Sequence, residues 1–327
     1  MDWLPLHSEM VPPTRRVSPT SRRGAEIRTF EYSDSVLEIT TGGVIHQDRF
    51  MPPARGARFN LSTEAIQAIV ARAAETPPLN RTIAIGYRAS WRNYYHWTTQ
   101  CLLNTFWLLR QGLLQSALLA VPPIGGFQKR SLDLLGIEDR QLHYVGNSGS
   151  TRATKFIVTD TLLASTPRMF PAELQSMAIV LKSGSKMGST ELPPSIYISR
   201  LDSRKRRMRN EEKLIKSLER LGIKHVSMTG MTLDDQISAL SRAKLVIAPH
   251  GAGLTNILYS EPGAHLYELF PSSYVVRCYE DLARAVRMSY SSGLFLPFAD
   301  SEDKFAWVAD IDEICRNTEE RLERISR

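Results

Sequence analysis

Apolar runs of strand length alternate with segments of helical period from residue 82 onward. "TIAIGY" predicts a buried strand, "YYHWTTQCLLNTFWLLRQG" a helix closed at Gly112, "SALLAV" a strand and "GFQKRSLDLLG" a helix, before the short strands "LHYVG" and "KFIVTD". After the helical "PAELQSMAIVLKSG", the polar "SGSKMGSTELPPS" has the Gly and Pro content of a linker. A second series then begins: strand "SIYISR", helix "NEEKLIKSLERLG", strand "KHVSM", helix "TLDDQISALSRA" and strand "KLVIAP". It continues through helix "LTNILYSE", strand "HLYELF", helix "YEDLARAVRM" and terminal helix "IDEICRNTEERLERI". Such alternation predicts parallel sheets covered on both faces. The expectation is an α/β protein of two domains facing across a cleft, residues 1–182 and 183–327. Ahead of the first series, residues 1–25 form an irregular arm rich in Pro, Ser and Arg. "SVLEITTGGVIHQDRF" then predicts a hairpin turning at Gly42 and Gly43.

Composition narrows the class without choosing a function. At 327 residues, 43% hydrophobic and 23% charged, the chain has ample material for a core and is neither disordered nor fibrous. Its longest apolar runs fall well short of the roughly 20 residues a membrane helix needs. "MDWLPLHSEMVPPTRR" lacks the basic and apolar regions of a secretory signal, so a cytoplasmic location is expected. The formal charge of +7 suits nucleotide phosphates, acidic polysaccharide or peripheral contact with an anionic membrane, and selects none of them. Cys101, Cys278 and Cys315 are too widely spaced for a disulfide framework or a zinc site, and no other metal motif is visible.

Three stretches carry chemistry. In "APHGAGLTN", Gly251 and Gly253 let the backbone turn tightly and approach a ligand, and the expected helix beyond offers unpaired N–H groups to an anion. The third glycine of a dinucleotide fingerprint is missing, which counts against a nicotinamide-dependent dehydrogenase. His250 has two readings, a contact to phosphate or sugar and a histidine satisfied by backbone. Glu268 ends the next strand, where a carboxylate can take two ribose hydroxyls or serve as a cap.

In "YISRLDSRKRRMRNEE", Arg200 closes a strand, an arginine-rich loop follows, and Asn210 is the expected helix N-cap. Guanidinium forks suit diphosphate oxygens; a solvated loop or a nonspecific nucleic-acid patch is the plain alternative. No recognised nucleic-acid motif accompanies the run, so no specific nucleic-acid partner is expected. In "WRNYYHWTTQ", His96 sits among Tyr94, Tyr95 and Trp97, either as a general base in a sugar-stacking pocket or as a core histidine.

Together "NYYHW" (93–97), "YISRLDSRKRRMRNEEKL" (197–214), "DDQISALSRAKLVIAPHGAGLTNILYSEPG" (234–263) and "LYELFP" (266–271) resemble glycosyltransferase family 61, including its bacterial members of capsular polysaccharide synthesis. The resemblance implies two Rossmann-like domains in the GT-B arrangement and an inverting, metal-independent transferase. It implies no cofactor beyond a nucleotide-sugar co-substrate, UDP-linked by preference, and a glycan or polysaccharide acceptor, with work in the cytoplasm or peripherally at the inner membrane. Carried over by position, Arg200 and Arg207 meet the diphosphate. His250, Gly251, Ala252, Gly253, Leu254, Thr255 and Asn256 line the donor site, and Glu268 meets ribose or sugar. Asn93, Tyr94, Tyr95 and Trp97 fall on the acceptor side, with His96 as the base. One departure stands out. The family usually carries an acid four residues after the histidine and then Leu-Pro-Arg, where this chain has Gln100, Leu102, Leu103 and Asn104. A glutamine cannot accept a proton at neutral pH, which leaves the base to His96 or another acid, or opens the second reading, a catalytically weak homologue that binds nucleotide sugar or glycan within a biosynthetic complex.

Overall fold

The computed structural model describes residues 15–17, 27–51, 61–75, 77–146, 150–163, 169–186 and 192–326. Most of the N-terminal arm and of the linker therefore lie outside the described residues. The chain divides into two compact units, Met1–Glu173 and Leu174–Arg327.

The strands of the first unit are β1 (Arg15–Val17), β2 (Thr29–Glu38), β3 (Gly43–His46), β4 (Arg49–Met51), β5 (Leu79–Ile85), β6 (Ala117–Val121), β7 (Leu142–Tyr144) and β8 (Ser150–Thr159). Its helices are α1 (Thr63–Ala74), α2 (Tyr94–His96), α3 (Leu103–Arg110), α4 (Phe127–Leu134) and α5 (Asp160–Leu163), with a π-helical segment, Trp97–Leu102, joining α2 to α3. The sheet runs β4-β3-β2-β8-β5-β6-β7, with β1 paired to β2. β8, β5, β6 and β7 are parallel, as the alternating pattern predicts. β2, β3 and β4 extend the sheet antiparallel, so it is mixed. The reason is local: a tight turn can join only antiparallel neighbours. The predicted hairpin is this β2–β3 pair. Gly42 turns at φ +77°, and the Glu38 carboxylate accepts the backbone N–H groups of Thr40 and Thr41 at 2.8 and 2.9 Å.

The division falls within α6 (Pro171–Gly184), most of which belongs to the second unit. Its strands are β9 (Ser195–Ile198), β10 (Lys224–Val226), β11 (Leu245–Pro249), β12 (His265–Pro271) and β13 (Ser289–Phe295). Between them lie α7 (Glu211–Arg220), α8 (Leu233–Ser241), a 3₁₀ helix Ala252–Tyr259, α9 (Cys278–Ala285) and finally α10 (Ile311–Ser326). All five strands are parallel, in the order β10-β9-β11-β12-β13. α7 turns Leu214, Ile215 and Leu218 onto Tyr197, Ile247 and Tyr267 of the sheet, in a core that also takes in Trp307 and Ile314. Each such large apolar side chain stabilises the fold by about 1.5–3 kcal/mol when fully buried. The two sheets are those of an α/β chain with two Rossmann-like domains.

Four local details differ from the sequence pattern. Arg15–Val17, within the arm expected to be irregular, form β1 and pair antiparallel with β2. β13 was not expected, because "SYSSGLF" has no apolar period; it is an edge strand that buries little beyond Gly293 and Phe295. The helix expected after the glycine turn is 3₁₀. Asn210 occupies the N-cap position of α7 without capping it: its amide exchanges hydrogen bonds with the backbone of Ala309 at 2.8 and 2.9 Å. Cys101, Cys278 and Cys315 are free thiols. Among the described residues, no helix is long and apolar enough to cross a membrane.

Candidate functional site

In the second unit, the chain leaves β9 toward β10 on one side and later returns to β11 on the other. Loops departing in opposite directions open a crevice at the carboxyl ends of the two strands, where doubly wound sheets bind ligands. The crevice is a pocket of roughly 300 Å³ lined by Ile198, Arg200, Met228, Pro249, Gly251 and Gly253, among others. It brings together the arginine and the glycine turn that the sequence places about 50 residues apart.

Arg200 is half-buried there. Its Nη2 donates to Ser203 Oγ at 2.7 Å and to the Lys205 carbonyl at 3.1 Å, while its Nε is buried without a partner. Burial first, and then the neighbouring Arg206 cation, pull its pKa below the ordinary arginine value. Its backbone is held by Glu211, a buried carboxylate that accepts the Arg200 N–H at 2.7 Å and the Tyr197 hydroxyl at 2.9 Å. Gly251 is explained by this neighbour: its backbone is extended, and a Cβ would run into the Arg200 guanidinium. At Gly253 a Cβ would meet Ile198 and Met228 at an ordinary 3.4 Å, so only open approach from the pocket distinguishes that glycine.

The basic loop is ordered by its backbone. Trp307 Nε1 donates to the Arg206 carbonyl at 3.0 Å, and the Arg207 N–H donates to Asp303 at 2.7 Å. Arg206 takes φ +56°, a left-handed conformation uncommon outside glycine, and its guanidinium lies 4.8 Å over the Tyr274 ring. The Arg207 side chain is exposed. Arg206 is the arginine of this loop whose charge acts on Arg200.

Within the glycine turn, Ala252, Gly253 and Leu254 line the pocket, whereas Thr255 and Asn256 are fully buried beneath it. Asn256 Nδ2 donates to Gln236 Oε1 at 2.8 Å and to the Gly253 carbonyl at 3.0 Å, drawing the first turn into the tighter 3₁₀ form. His250 is buried, stacked at 5.2 Å on Phe270, and its Nδ1 meets Glu268 Oε1 at 2.6 Å. Glu268 has no exposed surface, and its other oxygen accepts the Tyr290 hydroxyl at 2.9 Å. Burial raises the Glu268 pKa, opposed by the hydrogen bond from His250. Both oxygens of the residue expected at a ribose are thus engaged inside the protein. The carboxylate fixes the His250 tautomer with the proton on Nδ1.

In the first unit, Asn93 caps α2 through Oδ1, which accepts the backbone N–H groups of Tyr95 at 2.9 Å and His96 at 3.4 Å. His96 is half-buried, and its Nδ1 donates to Gln100 Oε1, four residues on, at 2.7 Å. Burial lowers the His96 pKa, the hydrogen bond to Gln100 works against that, and the Arg88 cation lowers it further. Arg88, 3% exposed, was not visible as a site residue in the sequence. Tyr94 packs edge-on to Phe127 at 5.0 Å. Tyr95 is buried, and Trp97 is a core residue, 1% exposed, whose Nε1 donates to Ser131 Oγ at 2.9 Å. The Trp97 ring offers no face to a sugar. Burial pushes the Cys101 thiol up to about 12, which leaves it unreactive. Among the described residues, no group of three or more His, Cys, Asp or Glu is placed to hold a metal ion.

Residues 94–267, just over half of the chain, match the sequence profile of Glycosyltransferase 61. A 97-residue stretch is also 31% identical to the EGF domain-specific O-linked N-acetylglucosamine transferase of Drosophila melanogaster. That stretch is 29% of this chain and spans only 18% of the length of the Drosophila protein.

Proposed function

Because the chain belongs to glycosyltransferase family 61, we propose that it transfers a sugar from a nucleotide-sugar donor to a hydroxyl of a glycan acceptor, with inversion at the anomeric carbon. The observation that carries this reading is Arg200: a buried Nε–H without a partner, in a guanidinium at the switch point of a doubly wound sheet, next to a glycine turn that leaves backbone open to an anion. The diphosphate of the donor would take Arg200, Arg206 and the 251–254 turn. The arginines would carry the charge that builds on the leaving oxygen, the work a metal does elsewhere.

On the acceptor side, His96 is the base. With its Nδ1 proton held by Gln100, Nε2 keeps a lone pair and takes the acceptor hydroxyl proton as that oxygen attacks the anomeric carbon. The bond from that carbon to the diphosphate breaks, and the nucleoside diphosphate leaves. Gln100 thus orients a base in the manner of an amide rather than an acid. This pairing favours an active enzyme over a weakly catalytic binding homologue. The name of the Drosophila protein makes N-acetylglucosamine the first donor sugar to test, carried on UDP as the family resemblance implies.

The test is a thermal-shift and turnover series with nucleoside diphosphates and nucleotide sugars on the full chain. A raised melting temperature with a nucleoside diphosphate, lost in Arg200→Gln, is expected, together with sugar release or transfer that His96→Ala abolishes. No shift with any nucleotide would refute the donor site. Binding without turnover on a broad acceptor panel would favour the binding homologue.

A further inference from the structure

The amino ends of β11, β12 and β13 frame a second cavity of about 860 Å³, at the opposite end of the sheet from the switch-point pocket. Lys244, His265, Ser291, Arg321 and Arg324 line part of it. Arg321, from α10, is rigidly placed: its guanidinium lies 4.4 Å over the Tyr267 ring. Nε donates to His265 Nε2 at 3.0 Å, Nη2 to Ser291 Oγ at 2.8 Å, and Nη1 to the Asn317 carbonyl. A guanidinium has five N–H groups, and these bonds leave one on each terminal nitrogen. That remaining pair is the fork that fits two oxygens of a planar or tetrahedral oxoanion.

The charge around the fork is not neutralised from within. Its acceptors are a neutral imidazole, a hydroxyl and a carbonyl; among the described residues Lys244, Arg321 and Arg324 form no ion pair. Of the two acids at the cavity, Glu261 is bound to Lys182 at 2.7 Å and Glu320 acts on Arg321 only through space. Burial, with Arg321 and Arg324 beside it, brings the His265 pKa down to about 4, so the ring stays uncharged and free to accept.

We infer that this cavity binds a ligand bearing a compact oxoanion, a carboxylate or a phosphate, gripped by the Arg321 fork with Lys244 and Arg324 adding charge. A volume of this size is that of a site for a small molecule or a few sugar units, so the anion is one group on a larger ligand. The inference does not depend on the transferase reading.

Isothermal titration of the full chain with inorganic phosphate, with trigalacturonate and with its methyl ester tests it. Saturable binding of phosphate or trigalacturonate but not of the ester is expected, and which of the two binds tells phosphate from carboxylate. Arg321→Gln should weaken it about tenfold or more. The exposed pair Lys244→Ala and Arg324→Ala should weaken it as well, and decides the matter if Arg321→Gln does not fold. In Arg200→Gln the binding that Arg321→Gln removes should persist. Absence of binding by both acidic probes, or binding lost in Arg200→Gln and retained in the other variants, would overturn the inference.

Discussion

Replacing Glu268, which stands in the middle of β12 rather than at the strand end the sequence suggests, separates two roles for its carboxylate. Glu268→Ala removes the acceptor for His250 Nδ1 at 2.6 Å and for the Tyr290 hydroxyl at 2.9 Å. His250 is 7% exposed, so its abandoned N–H is cut off from water and costs about 1–3 kcal/mol. Tyr290 is only half-buried and can turn to solvent, so its loss adds about 1 kcal/mol. The release of a carboxylate from a site that raises its pKa offsets part of the sum, which leaves a net destabilisation of about 1–3 kcal/mol. Glu268→Gln keeps one carbonyl oxygen and should lose about half as much. Urea unfolding followed by near-ultraviolet circular dichroism reads this as a lowered midpoint, and a two-dimensional NMR spectrum of the histidine rings reads the loss of a single His250 tautomer. A carboxylate that instead reached the ribose would show in nucleotide affinity with little change in stability. A Glu268→Ala midpoint equal to wild type, with nucleotide binding lost, would refute the positioning role.

The glycine turn yields a paired test: Gly251→Ala should displace Arg200 and weaken nucleoside diphosphate binding about tenfold or more, while Gly253→Ala should keep stability within about 1 kcal/mol, as melting and titration curves would show. Arg206→Gln should weaken diphosphate binding more than Arg207→Gln, and equal losses would contradict the orientation of the loop. Because burial lowers the His96 pKa, kcat/KM should be level through neutral pH and fall only below the ordinary histidine range. In Gln100→Glu the carboxylate favours the imidazolium and raises that pKa, so the acid limb should move to higher pH; Gln100→Leu should cut kcat without moving KM much.

Much of this protein was legible along the chain. The two α/β series, the β2–β3 hairpin, the helix stop at Gly112, the strand end at Arg200 and the spacing of His96 and Gln100 all rest on neighbours within a few residues. Period, turn chemistry and one turn of helix are local properties, so the sequence carries them directly. β13 escaped because an edge strand need not alternate.

What the tertiary structure alone decided are the partners. The order β10-β9-β11 puts a crevice between Arg200 and the glycine turn, and no local pattern encodes strand order. Arg206, left-handed and set over the Tyr274 ring, is the arginine whose charge acts on Arg200. Glu268 meets His250 and Tyr290, 18 and 22 residues away, because the registers of β11, β12 and β13 bring those three side chains to one spot in the sheet. Trp97 is buried in the core, where its indole N–H is satisfied by Ser131, 34 residues away. The sequence by itself determined the elements and the kinds of chemistry at their ends; side chains far apart in the chain acquired their roles only when sheet order and register chose their neighbours.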